Sequence, residues 1–139
     1  METSVNNKCR AFTSLEQSKK LAEILPLESA DMFYNEEPED ETYPKDIVDT
    51  EYPMILKEGH IHFLEEYGIP CWSLAALLSV LPKNLNIGRP SLESNYMGYY
   101  WIQYYDEFMK PNNYKTECFN NPVNACYEMI MRLHELNLL

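Results

Sequence analysis

Residues 98 to 105 read GYYWIQYY, a run of aromatic and β-branched side chains with a glycine only at its start. That content is a strand's, and in an extended chain Tyr99, Trp101 and Tyr105 lie on one face while Tyr100, Ile102 and Tyr104 lie on the other. Lys110-Pro111-Asn112-Asn113 reads as the following turn and Tyr114 to Phe119 as an antiparallel partner. Upstream, Leu85 and Ile87 alternate before a polar turn region holding Pro90, Ser91 and Asn95, so the expectation is an antiparallel sheet of about three strands.

The period changes on either side of this sheet. Asn121 is a suitable N-cap, Pro122 suits the first helical position, and Val123, Cys126, Ile130 and Leu133 form an apolar stripe, which predicts a helix over 122 to 136 lying across the sheet. In IPCWSLAALLSVLP, residues 69 to 82, Ser73 is the N-cap of a short core helix that presents Leu74, Leu77, Leu78 and Leu81 and stops at Pro82, with Trp72 packing just ahead of it. Thr13-Ser14-Leu15-Glu16 reads as a capping box with Thr13 as N-cap, opening a helix over 14 to 25 that Pro26 ends. Residues 30 to 34, ADMFY, suggest a short strand.

Segregated helices and hairpin-linked strands, with no alternating βαβ pattern, place the chain in the α+β class. The expected organisation is a frayed tail over 1 to 12 and a single domain over 13 to 139, in which a small antiparallel sheet is packed by three main helices.

Charge is concentrated in one place. The net charge is -11, and residues 36 to 51, EEPEDETYPKDIVDTE, hold eight acids and one lysine. With prolines at 38, 44 and 53, the segment from about 35 to 51 reads as a long acidic loop, and Glu36, Glu37, Glu39, Asp40 and Glu41 are its densest part. Such a field repels phosphate backbones, and no cluster of Lys and Arg offsets it, so direct nucleic-acid binding is not expected. No apolar stretch is long enough to cross a bilayer, and the N-terminus lacks the pattern of a secretory signal, so a cytoplasmic protein is expected.

Catalytic signatures are sparse. Only four glycines occur, and neither phosphate-binding glycine motif is present. The cysteines at 9, 71, 118 and 126 show no C-x-x-C; Cys71, Cys118 and Cys126 sit in apolar neighbourhoods and read as buried thiols, leaving Cys9 as the exposed one. His60 and His62 in EGHIHFLEEYGIPCW are the one hint of a metal site. Helical spacing fits His60, Phe63, Leu64 and Tyr67, with Gly68 as the C-cap, and on a helix two residues i and i+2 diverge by about 200° and cannot share an ion. An extended 53 to 62 would restore the chelate, so surface histidines and a metal pair both stand at this point, the former being the plainer reading. His134, near the end of the last helix, reads as a histidine favoured by the helix dipole.

SLEQSKKLAEILPLESADM (14 to 32), PCWSLAALLSVLP (70 to 82) and NPVNACYEMIMRLHELNLL (121 to 139) together resemble a family of small uncharacterised proteins of gut Bacteroidales, often found near prophages and other mobile elements. The likeness runs in order from about residue 13 to 139, with the P-x-W-S-L motif and the N-P-V helix start as its most specific parts and the acidic segment outside it. The resemblance supports the domain boundaries and the cytoplasmic placement, brings no activity to any residue and leaves function open, an accessory role in a phage or mobile element being the reading its genomic setting suggests. No cofactor is expected.

The expected function is therefore a non-enzymatic binding module that meets a protein partner through the acidic loop or through the aromatic face of Tyr99, Trp101 and Tyr105. The first alternative is an acidic mimic of nucleic acid that blocks a host protein. The second is a small metal-dependent hydrolase using His60 and His62. Oligomeric state is not legible in the sequence.

Overall fold

The structure is a computed structural model and describes residues 11 to 35, 53 to 56 and 68 to 139. The chain divides into two compact units, Phe12–Ala76 and one that includes Leu77–Leu139. Each unit carries a three-stranded antiparallel sheet, so the class is α+β as expected and the single sheet is doubled.

In the first unit, α1 (Leu15–Ala22) is followed by a short 3-10 turn at Leu27–Ser29 and by strands β1 (Met32–Asn35), β2 (Met54–Ile55) and β3 (Gly68–Cys71), ordered β2-β1-β3. The capping box of α1 sits one residue later than Thr13 and Glu16 suggest. Gln17 N–H donates to Ser14 Oγ at 3.1 Å, and Ser14 N–H donates to Gln17 Oε1 at 3.0 Å. Thr13 is withdrawn from capping because it is fully buried and already committed: its hydroxyl oxygen accepts the Trp72 N–H at 3.1 Å and lies 2.7 Å from Ser18 Oγ. Trp72 is itself fully buried, and its indole N–H donates to Ser29 Oγ at 2.9 Å, which satisfies the polar end of an otherwise apolar side chain.

Gly68 opens β3 and pairs across to Asn35. The helix expected before it, with His60 and His62, lies outside the described residues, as does the acidic segment.

Helix α2 (Leu74–Val80) begins as the sequence predicts. Ala76 N–H donates to Ser73 Oγ at 3.2 Å, while Asp31 accepts from both the Ser73 N–H and the Ser73 hydroxyl, so the cap is fixed by β1's neighbour. Of the expected stripe, Leu77 and Leu81 are buried, and Leu74 and Leu78 are half-buried.

The second unit contains β4 (Arg89–Ser94), β5 (Tyr100–Tyr105), β6 (Pro111–Lys115) and α3 (Pro122–Glu135). The strand order is β4-β5-β6. The expected turn at 110 to 113 is instead the start of β6, and the turn lies at Asp106–Lys110. Asp106 draws it there, since its Oδ1 accepts the Phe108 N–H at 2.8 Å and the Lys110 N–H at 3.0 Å. Asn95 organises the β4–β5 tip in the same way, accepting from Met97 and Tyr99 N–H.

Helix α3 starts on the Asn121 cap, whose Oδ1 accepts the Val123 N–H at 2.7 Å. Its Val123, Cys126, Ile130 and Leu133 are all fully buried, and the helix packs on β5, whose Ile102 and Tyr104 are buried on the facing side. Tyr104 donates its hydroxyl to the Pro82 carbonyl at 2.8 Å and meets Tyr114 edge-on at 6.1 Å. Burial raises the pKa of the Tyr104 phenol and pushes the Cys126 thiol up to about 12. Cys118, expected to be buried, is exposed: past the end of β6 only Thr116 turns inward, and Glu117 and Cys118 both face water. Cys71 is buried as expected, and desolvation raises its pKa. Among the described residues no helix is long and apolar enough to cross a membrane.

Candidate interaction surface

With Tyr100, Ile102 and Tyr104 turned to the inner side of the sheet, Trp101 and Tyr105 occupy the outer one. The β4–β5 register sets Glu93 directly opposite Trp101 and Arg89 opposite Tyr105. Trp101 donates its indole N–H to Glu93 Oε1 at 2.9 Å, and the Tyr105 hydroxyl donates to the other oxygen of the same carboxylate. One acid therefore ties two aromatic side chains that stand four residues apart on β5. The hydrogen bond to Glu93 is the first cause that raises the Tyr105 pKa, because only the protonated phenol can donate it, and the like charge of the carboxylate adds to it.

From the other side, β6 brings Lys115, whose Nζ lies 5.8 Å from the centroid of the Trp101 ring, within cation–π range. Between Trp101 and Tyr105, the ladder with β6 is irregular: Gln103 pairs with Lys115, whereas Tyr105 pairs with Pro111. The irregularity leaves a carbonyl on each strand in need of a donor, and the buried Gln103 amide supplies both, donating to Asn112 O of β6 at 3.0 Å and to Tyr104 O of β5 at 2.8 Å. The bulge thus fixes the middle of the face without adding a charge to it.

The third aromatic expected on this face, Tyr99, lies in the β4–β5 tip and is 42% exposed. Tyr96 and Met97 of that tip are also exposed, and at the opposite end of the sheet so are Leu85, Phe108 and Met109. An open groove of about 370 Å³ lies at this second end, with Leu85 and Met109 as apolar walls and Lys83, Arg89, Asp106 and Glu107 as charged ones.

Trp101 and Tyr105 are thus tied together through Glu93, and Tyr99 lies just before the first residue of β5. Glu36, Glu37, Glu39, Asp40, Glu41, His60 and His62 lie outside the described residues. Glu93 and Lys115 are members of the site that periodicity does not reveal. Arg89–Ser94, RPSLES, contains a proline and two serines and so reads as a turn region, although pairing with β5 makes it a strand. Once it is a strand, the position of Glu93 opposite Trp101 follows from register alone.

Among the described residues no group of three or more His, Cys, Asp or Glu is placed to hold a metal ion. His134 is exposed in the last turn of α3. No family model matches the chain, and no curated protein or solved structure is significantly similar to it.

Proposed function

We propose that the chain is a non-enzymatic protein-interaction module whose binding face is the outer side of β4, β5 and β6. The observation that carries this reading is the Trp101–Glu93–Tyr105 set, two large aromatic side chains left partly in water yet held by a shared carboxylate. Aromatics fixed in advance offer contact area at small entropic cost, which is the property of residues that dominate protein interfaces. The net charge of -11 favours a basic partner and speeds its approach. In keeping with the resemblance, the setting is the cytoplasm of a gut Bacteroidales cell and the role that of an accessory protein of a phage or mobile element.

The test is affinity capture from such a host with immobilised wild-type protein and with a Trp101→Ala/Tyr105→Ala variant of matched circular dichroism. A partner retained by the wild type and lost from the variant is expected. Identical retention by both removes the outer face as the binding surface. The acidic-mimic reading rests on segment 36 to 51 and its net -7, eight acids less one lysine. It predicts a nucleic-acid-binding partner that duplex DNA displaces and salt releases, whichever form of the aromatic face is used.

A further inference from the structure

Among the described residues, strand β4 is an edge of its sheet, and the alternation of its backbone groups follows from the ladder with β5. Asn95 N–H donates to Tyr99 O at 3.1 Å, so 95 and 99 form a hydrogen-bonded pair, and the same alternation makes hydrogen-bonded pairs of Glu93 with Trp101, Ser91 with Gln103 and Arg89 with Tyr105. The far side of β5 agrees. There Tyr100 exchanges bonds with Phe119, and Ile102 O accepts from Thr116 N–H, so the even residues of β5 face away from β4. The N–H and C=O groups of Leu92 and Ser94, and the C=O of Pro90, therefore point outward from the edge, and among the described residues none of them has a hydrogen-bond partner. Pro90 fits this scheme, because its missing N–H falls on the side where no ladder bond to β5 is lost.

From this edge we infer that β4 pairs antiparallel with β4 of a second copy of this chain, Leu92 facing Leu92, to join the two sheets. The inference goes beyond the reading above, since it uses the strand edge and not the aromatic face. The sequence RPSLES selects the register. With Leu92 opposite itself, the two Leu92 residues exchange both of their backbone bonds, and each Ser94 N–H finds the Pro90 carbonyl of the second copy. On the outer side, each Glu93 then faces a Ser91 hydroxyl, with Arg89 of the second copy at one diagonal and Glu93 of the second copy at the other, farther than when directly opposed. Sliding the strand by one step in one direction sets Glu93 against Glu93, two like charges directly opposed. Sliding it the other way sets Leu92 against Pro90, so that only the two bonds to the Pro90 carbonyls remain and the two that the Leu92 residues exchange are lost. Charge and backbone chemistry thus choose one arrangement, and it is self-complementary as a two-fold dimer requires.

Sedimentation equilibrium over a range of concentrations, on the whole chain, tests the inference. The wild type is expected to show a monomer–dimer equilibrium, and Leu92→Pro, which removes only an outward N–H, is expected to keep the wild-type circular dichroism and remain a monomer. Independently of that variant's folding, Leu92→Cys in a Cys9→Ser/Cys118→Ser background should form a covalent dimer under mild oxidation. Ser94→Cys should not, because in this register the two Ser94 positions are offset by four residues, about 13 Å, too far for a disulfide. A wild type that stays monomeric at every concentration overturns the proposal. So does a dimer that survives Leu92→Pro, one that Trp101→Ala abolishes while Leu92→Pro leaves it intact, or crosslinking by Ser94→Cys in preference to Leu92→Cys.

Discussion

Trp101 donates its indole N–H to Glu93 at 2.9 Å from the position directly across the β4–β5 ladder. Because the same carboxylate accepts from Tyr105, a residue outside the aromatic run decides how that run is presented. The face is a set of side chains with one electrostatic centre, and its parts respond together when that centre is changed.

Glu93→Gln keeps the shape and an acceptor but removes the charge. The carboxylate disfavours the phenolate and so raises the Tyr105 pKa; without it Tyr105 should ionise at lower pH than in the wild type. Ultraviolet absorbance titration of Glu93→Gln and wild type, each compared with its Tyr105→Phe counterpart, isolates that one phenol. Coincident Tyr105 curves would show that the charge of Glu93 does not act on the phenol in solution.

Two glycines with positive φ should respond differently to alanine. At Gly88 (φ 91°) an added Cβ would lie 2.2 Å from the Tyr105 carbonyl oxygen, whereas at Gly98 (φ 82°) it would meet nothing within 4 Å. Gly98→Ala therefore bears only the left-handed backbone strain, about 1–2 kcal/mol. Gly88→Ala adds a backbone clash that must displace the start of β4 or the end of β5. Chemical denaturation should rank Gly88→Ala as clearly the more damaging, and equal losses would contradict the close approach.

What the sequence discloses and what it hides follow one physical rule. Where a side-chain pattern is the cause of the structure, it is legible: the α3 stripe of Val123, Cys126, Ile130 and Leu133 is wholly buried, and Ser73 and Asn121 cap the helices they precede. Where a long-range pairing is the cause, local pattern misleads. Arg89–Ser94 becomes a strand through β5, Pro111–Lys115 is a strand because Asp106 closes the turn early, and Thr13 is taken from its capping role by Trp72, far along the chain. The candidate site divides the same way. Trp101 and Tyr105 are legible from alternation, while Glu93 and Lys115 appear only when the register is known.

Thr13→Val tests the buried junction of the first unit. The substitution keeps the volume and removes the hydroxyl that accepts the Trp72 N–H and meets Ser18. Leaving that N–H without an acceptor should cost about 1–3 kcal/mol. Thr13→Ser retains the oxygen and should lose less. Urea midpoints that place Thr13→Val level with Thr13→Ser would show that the hydroxyl contributes nothing beyond its packing.

Leu77 is fully buried and its neighbour Leu78 only partly so. Leu77→Ala should cost about 2–5 kcal/mol through lost transfer energy and the cavity left behind. Leu78→Ala should cost less, and thermal melts reversing this order would place the buried side of α2 on its other face.

Alkaline stability should depend on Cys126. In the unfolded chain its thiol ionises near the ordinary value of 9.0, and in the folded protein burial holds it protonated up to about 12. Between those values the unfolded state has released a proton that the folded state keeps, so stability is whole below about pH 9 and falls as pH rises toward 12. The loss is on the order of a few kcal/mol by the top of the window. The raised Tyr104 phenol adds to the fall in the same direction above its ordinary value of 10.0. Cys126→Ala should be less stable at neutral pH, through lost packing, yet show a shallower decline across the alkaline range, because the thiol's share of the proton release is gone. The quantity to compare is the slope of the urea-derived stability against pH, and parallel slopes in wild type and Cys126→Ala would refute the role of the buried thiol.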